Sequence, residues 1–486
     1  MVDNRTRIVG LQFATNVRQG RFPRRGTAVS AWPSVLPACG CRCSSLRMKG
    51  DHGLICKASW RPVAIPLVAG ALLSSWPAHA APSTAGDDAP LQSSGLIGQP
   101  VINGRNWRLS GSVRTLYDSN FRRLPTAESA WRVSPLAQVA VGLPIGRQQF
   151  YVGGDVGRDL FLGKTGFDRN RYRVGGGLAW RLGSRCSGSL VGEYTSRLSQ
   201  TSDLAEFVDN VQKAQVYGAS ANCQLATGLG FGGSVRRNII DNDRVQRRQF
   251  DLRSTTISPQ ISYGRPSLGQ FSIGGTINDI VYPNRQVITS AGPFEDRLKI
   301  YSARFGYQRN FGTRIQLTAG LSYNKAEPNP ATQLVFQGGQ LVSISRDGFS
   351  GSGYDLALTM KPSQRLTVTA IGTRDVSATP NVGAAFVVNQ QYGLDMNYAI
   401  GPALTFGLGG TRNVRDYRGG FPTLDERRVR VRDEVNRVYA QLDYAPVPLY
   451  AIGIEVAHQQ RTSNPADFNY KSTTAMLNLR VKLGKG

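Results

Sequence analysis

The chain has 486 residues, of which 58 are Lys or Arg and 32 are Asp or Glu, so its formal net charge is +26. Length alone would predict two or three globular domains, but the 55 glycines are about 11% of the chain, against roughly 7% in ordinary proteins. Aromatic residues at 9% weigh against a disordered chain, and only three histidines weigh against histidine-based catalysis and metal binding.

Residues 1–80 have the pattern of a targeting segment. A secretory signal begins most naturally at Met48, which makes that methionine a candidate for the true start. The apolar stretch Val63–Trp76 follows, and Ala78-His79-Ala80 predicts cleavage after Ala80. The alternative is an uncleaved anchor helix, but 14 apolar residues fall short of the roughly 20 that span a bilayer.

The cysteine cluster Cys39, Cys41 and Cys43 precedes this signal. It has no second group of ligands elsewhere, so we predict no metal site. No phosphate-binding or cofactor motif occurs in a strand–helix context, and we predict no cofactor.

Residues 81–105 are rich in Pro, Gly and Ser and are expected to form a flexible periplasmic lead-in. From Asn106 to Gly486 the chain alternates apolar and polar residues with period two. Within 314–324, for example, Ile315, Leu317 and Leu321 share one face and the polar residues share the other. Such alternation indicates β-strands, because successive side chains point to opposite faces.

About 18 such segments (16–18) are predicted, with approximate starts at 106, 131, 148, 170, 188, 212, 229, 249, 270, 297, 314, 349, 365, 386, 403, 432, 449 and 469. Short and long connections follow one another in turn. The predicted long connections are Ser119–Ala130, Thr201–Val211, Asn284–Asp296, Pro328–Phe349 and Arg418–Val431. This order is typical of a transmembrane barrel with short periplasmic turns and longer extracellular loops.

The predicted fold is therefore all-β: one transmembrane antiparallel β-barrel over 106–486, in the outer membrane of a Gram-negative bacterium. The expected partners are outer-membrane lipid, lipopolysaccharide and the barrel-assembly machinery. The alternative fold is a secreted soluble all-β protein, such as a propeller or tandem sandwiches, but no blade repeat is visible. The 25 residues before Asn106 are too few for the plug of a TonB-dependent receptor.

The stretches SPLAQVAVGLPIGRQQFYVGGDVGRDLF at 134–161 and NRYRVGGGLAWRLGSRCSGSLVGEY at 170–194, with Phe207, Asn210 and Tyr217 after them, resemble a known family. It is the outer-membrane β-barrel porin family associated with exopolysaccharide loci (EpsL-type). The resemblance implies a single barrel and a role in secretion or surface assembly of a polysaccharide, with an acidic exopolysaccharide and its export complex as candidate partners. One departure is the final strand, which lacks the closing aromatic usual in such barrels.

Strand alternation places many basic residues on the inner, lumen-facing side. The candidates are Arg108, Arg114, Arg132, Arg171, Arg173, Arg181, Arg236, Arg304, Arg314, Arg437 and Arg480, with Arg197, Arg461 and Lys482 of the same parity. The inward acids are fewer: Asp118, Asp155, Asp159, Glu193, Asp355, Asp443 and Glu455. A positive lumen would attract anions and favour an acidic glycan. The alternative is that the arginines only brace the wall through ion pairs.

Other functions fit the sequence less well. Scattered basic residues without an RNA-binding signature do not indicate nucleic-acid binding. A barrel hydrolase would need an activating histidine, and His458 has lipid-facing parity, so we predict no enzyme. The serious alternative is a general or anion-selective diffusion porin. The 328–349 loop is a candidate hairpin, either extracellular or folded into the pore as a constriction.

Two cysteines remain after the signal, Cys186 and Cys223. They have the parity of the apolar face and lie on neighbouring antiparallel strands. Secretion into an oxidising compartment makes them a candidate disulfide, and two buried thiols are the alternative.

Overall fold

A computed structural model describes residues 106–198, 210–337, 339–379, 384–419 and 431–485. The predicted signal, its cleavage point after Ala80 and the lead-in 81–105 lie outside these residues. No helix in the described ranges combines the length and the apolar composition needed to cross a bilayer.

The described chain is built from antiparallel β-strands. They are β1 (Asn106–Asp118), β2 (Ala130–Ile145), β3 (Gln148–Phe161), β4 (Arg169–Leu182), β5 (Cys186–Leu198), β6 (Val211–Gln224), β7 (Leu229–Asn242), β8 (Leu252–Arg265), β9 (Gly269–Thr289), β10 (Gly292–Phe311), β11 (Ile315–Asn329), β12 (Thr332–Gln337), β13 (Gln340–Ser345), β14 (Phe349–Met360), β15 (Leu366–Ala378), β16 (Phe386–Ala399), β17 (Leu404–Arg418), β18 (Arg432–Val447), β19 (Tyr450–Asn464) and β20 (Tyr470–Lys485).

Eighteen of these strands form one closed barrel, and β12 with β13 forms a separate hairpin. Each barrel strand pairs with the next along the chain, and β1 pairs with both β2 and β20, which closes the sheet. The prediction of an antiparallel barrel of about 18 strands is confirmed. Except at the loop end of β14 and β15, closure leaves no sheet edge with unpaired backbone groups, which is the condition for a sheet to cross hydrocarbon.

Alternate residues of each strand face outward and are mostly apolar. In β10, Phe305 points outward and is 47% exposed, whereas its neighbour Arg304 points into the lumen. Leu321 on β11, opposite Phe305, is 67% exposed. Large apolar side chains exposed around a whole barrel would be costly in water, and they match a lipid surface.

Short turns lie at one end of the barrel and longer connections at the other. Gly146, Gly183 and Gly312 begin three of the short turns, each with φ near +60°. Glycine has no Cβ to oppose that left-handed backbone, so it suits tight hairpin turns. The first strand begins and the last strand ends at this short-turn end, where Trp107 pairs with Lys485.

The prediction of a long loop over Asn284–Asp296 is wrong. Here β9 continues to Thr289 and β10 starts at Gly292, with a register shift between Glu295 and Asp296. Asn284 and Pro293 are turn-type residues that weaken the strand pattern, but pairing between the two long strands overrides them. The 328–349 connection does contain a hairpin, β12–β13, which lies against β9 and leaves Phe336 and Leu341 about two-thirds exposed.

The loop end of β15 and β16 folds into the barrel. Tyr354 and Arg374 form the last pair between β14 and β15, and the residues of these two strands nearer the loop end do not pair with each other. Tyr282 of β9 donates a hydrogen bond from its hydroxyl to the Thr379 carbonyl at 3.3 Å, although β10, β11 and β14 separate the two strands in the sheet. This contact is possible only if the top of the β15–β16 hairpin crosses the inner side of the wall.

An apolar cluster holds that hairpin in place. The inward-facing side chains of Ile280, Tyr282 and Leu298 pack with Phe386 and Val388 of β16, and each of the five is at most 2% exposed. Burial of this apolar area stabilises the inward position. The hairpin therefore narrows the lumen at the loop end.

Candidate functional site

The lumen is lined by the inward-facing residues of the barrel strands, and several of its arginines form ion pairs. Arg173 on β4 lies opposite Asp155 on β3, and its Nε donates to Asp155 Oδ2 at 2.8 Å. Arg171 Nη1 lies 3.8 Å from Asp159 Oδ1. Because each pair joins neighbouring strands, these arginines brace the wall.

Further arginines are paired across the wall in the same manner. Arg437 pairs with Glu455, and Arg461 pairs with Asp433. Arg236 instead donates from Nε to the side-chain oxygen of Asn238 at 3.0 Å.

Glycines allow some inner side chains to reach over an intervening strand. Arg304 of β10 pairs with Asp355 of β14, and Gly320 of β11 lies beneath the contact. A Cβ at Gly320 would collide with both side chains. The same arrangement recurs where the Tyr439 hydroxyl donates to Asp395 above Gly409.

A second set of inner basic residues has no carboxylate within ion-pair distance in the described part of the chain. Arg108, Arg480 and Lys482 lie at the short-turn end on the paired strands β1 and β20, and Arg181 lies at the same end of β4. Lys482 is within electrostatic range of both Arg108 and Arg480. Asp443 is the acid within electrostatic range of Arg480. We call Arg108, Arg480 and Lys482 the mouth cluster.

The remaining predicted lumen residues lie as follows. Arg114 on β1 faces inward and is 4% exposed, and Arg132 on β2 also faces inward. Arg314 does not lie in a strand, because it ends the turn between β10 and β11 and β11 begins at Ile315.

The charge surplus of the lumen is smaller than the sequence predicted. Asp296, Asp375, Asp395 and Asp433 also face inward, and none of them was among the predicted inward acids. Asp433 lies four residues before Arg437 on β18 and faces the same side, so alternation could have identified it. Arg415 on β17 also faces inward, and alternation could have identified it as well.

The basic residues are concentrated on one half of the wall. They lie on β17 to β20 and on β1 to β5, which are continuous around the barrel. Over their described lengths, the inner faces of β6, β8, β11, β15 and β16 carry no Lys or Arg. The other half of the wall runs from β6 to β16. Among the described strand residues, its inner basic side chains are Arg236, Arg304 and the buried Arg285, which contact Asn238, Asp355 and Asp296 respectively.

Hydroxyl and amide groups line much of the β6 to β16 half. Thr256 donates to Asn278 at 3.1 Å, and the hydroxyls of Ser258 and Thr276 lie 3.3 Å apart. These bonds join β8 and β9 across the inner face. The lumen therefore has an arginine-rich half opposite a half of hydroxyl and amide groups, which also carries the inward acids Asp355, Asp375 and Asp395.

Buried ion pairs stabilise the loop end. Asp433 is fully buried and accepts from Arg461 and Ser463. At the loop end of β10, Asp296 accepts from Arg346 at 2.8 Å and pairs with Arg285.

Three other predicted residues lie on the outer face. Cys186 and Cys223 are paired in register on β5 and β6 and form a disulfide. His458 on β19 faces outward opposite Val438, and its Nδ1 lies 3.0 Å from the Thr473 hydroxyl.

Residues 346–483 match the family described as "Putative beta-barrel porin 2". The matched segment includes β14 to β19 and most of β20. The C-terminal part of the barrel is thus similar to a porin family.

Several solved outer-membrane proteins are similar to this chain over 78–79% of its length. The outer-membrane protein OpdK of Pseudomonas aeruginosa has 11% identity and a TM-score of 0.42, with 78% of this chain and 99% of that chain covered. OccK2 (OpdF) of the same organism, solved in complex with glucuronate, has 11% identity and a TM-score of 0.43, covering 79% and 100%. The alcaligin outer-membrane receptor FauA of Bordetella pertussis has 12% identity and a TM-score of 0.41, covering 79% and 76%. No curated protein matches the sequence.

Proposed function

We propose that the chain is an outer-membrane channel that passes anionic, hydroxyl-rich solutes, with acidic saccharides as the substrate class. The observation that carries the proposal is the concentration of inward basic residues on one half of the lumen wall, opposite a half rich in hydroxyl and amide groups. A solute with a carboxylate on one edge and hydroxyls on the others fits this lumen. Its carboxylate would face the arginine-rich half, and its hydroxyls would face the hydroxyl and amide groups of the other half.

The mouth cluster is the part of the basic wall best suited to attract such a solute. Arg108, Arg480 and Lys482 have no carboxylate partner at ion-pair distance in the described residues, so their charge is available. Low-dielectric walls focus such a field along the pore. Arginine adds two parallel donors that match a carboxylate.

Solute uptake by proteoliposomes tests the proposal. Glucose and glucuronate have the same ring, and they differ by one carboxylate. We expect glucuronate to enter faster through the full chain, and the combined R108Q/R480Q/K482Q change to remove that preference. The matched control is Arg412→Gln, which removes a cation from the outer face. Equal rates for the two sugars would instead support a general diffusion porin.

The cellular role that we propose is secretion or surface assembly of an acidic exopolysaccharide. It is supported by the resemblance of the 134–238 region to the exopolysaccharide-associated porins and by the basic lumen wall. Deletion of the gene should lower surface uronate several-fold, with recovery by the wild-type gene. Unchanged surface glycan together with lost uptake of small acidic sugars would leave the channel function and reject the export role.

A further inference from the structure

A group of basic side chains lies on the outer face of the barrel near its loop end. Arg237 on β7 and Arg253 on β8 are exposed, and Lys299 on β10 is partly exposed. None of the three has a hydrogen bond or an ion pair from its side chain within the described residues. We call them the outer-rim cluster.

Strand register places the cluster on one small area of the wall. Arg237 is opposite Thr255 of β8, Thr255 is opposite Asp279 of β9, and Asp279 is opposite Lys299. Arg253 lies two residues beyond Thr255 toward the loops. Because neighbouring strands are about 4.8 Å apart, the row from Arg237 to Lys299 covers roughly 14 Å.

The acids around this area leave it positive. Asp279 lies within the row, and Asp241 faces outward on β7 opposite Lys213. The other nearby charges pair among themselves: Lys213 with Asp243, Arg297 with Glu295 and Lys325 with Glu327.

The height of the cluster is fixed by the apolar residues below it. Val235, Ile257 and Ile277 lie on the same face, two residues from Arg237, Thr255 and Asp279 toward the short-turn end, and each is 47% exposed. Two residues of a strand span about 7 Å. Arg237 and Lys299 are therefore one step above this apolar row and Arg253 is two steps above it, level with Ile239 and Val281, on the side of the row toward the headgroups.

We propose that the outer-rim cluster binds the phosphates of a phosphorylated glycolipid of the outer leaflet, of the lipid A type. Guanidinium groups suit phosphate because they donate two parallel hydrogen bonds. Tyr217, opposite Arg237 and 50% exposed, provides a surface for the sugar ring. The leaflet assignment rests on the proposed outer-membrane function, in which the long loops are extracellular.

Native mass spectrometry of the full chain folded in detergent tests this proposal. Diphosphoryl lipid A should bind, and R237Q/R253Q should weaken its binding about tenfold or more, since each lost charge-assisted bond to phosphate weakens binding by about that factor. R237K/R253K should retain most of the binding. The matched control Arg412→Gln, whose side chain is paired with Glu434 at 3.0 Å on another part of the outer face, should bind as the wild type does.

Three results would overturn the proposal. They are equal binding of dephosphorylated lipid A, equal binding of phosphatidylglycerol, and unchanged affinity in R237Q/R253Q. Channel selectivity is measured separately and does not enter this experiment. Failure of lipid A binding therefore leaves the proposed transport function standing, and failure of transport leaves the lipid site standing.

Discussion

Replacing Phe386 with alanine tests whether the inward-folded β15–β16 hairpin controls the width of the lumen. Phe386 is fully buried and packs in the cluster with Ile280, Tyr282 and Leu298. Its ring also contacts Phe349, with centroids 6.3 Å apart. Truncation of a buried phenylalanine to alanine costs about 3–5 kcal/mol.

This lost packing energy lowers the stability of the docked hairpin relative to the undocked hairpin. Since 1.4 kcal/mol is a factor of ten, the ratio of docked to undocked hairpin should fall by about 10²–10⁴. The strands below Tyr354 and Arg374 stay paired on both sides, so the barrel itself should remain closed. We expect Phe386→Ala to show larger single-channel conductance, or frequent steps between two conductance levels.

The assay is single-channel recording in planar bilayers, with a heat-modifiability gel shift to confirm that the barrel has folded. The matched control is Phe231→Ala, because Phe231 faces outward and is 46% exposed. This control should conduct as the wild type does. A folded Phe386→Ala barrel with wild-type conductance and no new steps would refute the idea that the docked hairpin limits the pore.

Three further predictions concern the wall. The Cys186–Cys223 disulfide closes a segment with a sequence separation of 37, so its reduction should lower the free energy of unfolding by about 4 kcal/mol; an unchanged urea midpoint with reductant would contradict this estimate. Asp433→Asn should destabilise the barrel by about 3–5 kcal/mol because it removes the negative charge from the buried pair with Arg461, which a lower transition temperature in the gel-shift assay would show. The R173Q/D155N double variant removes a wall pair of zero net charge, so its reversal potential should stay within a few millivolts of the wild type; a large shift would mean that paired arginines also set selectivity.

Much of the barrel could be predicted from the sequence because lipid contact imposes a strict pattern. Strand starts at 106, 148, 229, 349 and 386 agree with the structure to the residue. The inward position of Arg173 and Arg437 follows from alternation alone. The pairing of strands along the chain needs no long-range information in an up-and-down barrel.

What the sequence did not predict depends on contacts between distant segments. The inward fold of β15–β16 rests on packing of Phe386 against Ile280 and Leu298, more than 80 residues away in the chain. Its residues also alternate like an ordinary strand. Asp433 is an exception, because its inward position follows from its parity with Arg437 and alternation alone could have identified it. The reach of Arg304 over Gly320 to Asp355 requires the register of three strands at once.

The most direct test of a basic, anion-conducting lumen is the reversal potential of the full chain in a planar bilayer with a tenfold KCl gradient. We expect a reversal potential of the sign that marks chloride as the more permeant ion, reduced toward zero in R108Q/R480Q/K482Q. A cation-selective channel, or a triple variant with unchanged selectivity, would contradict the account.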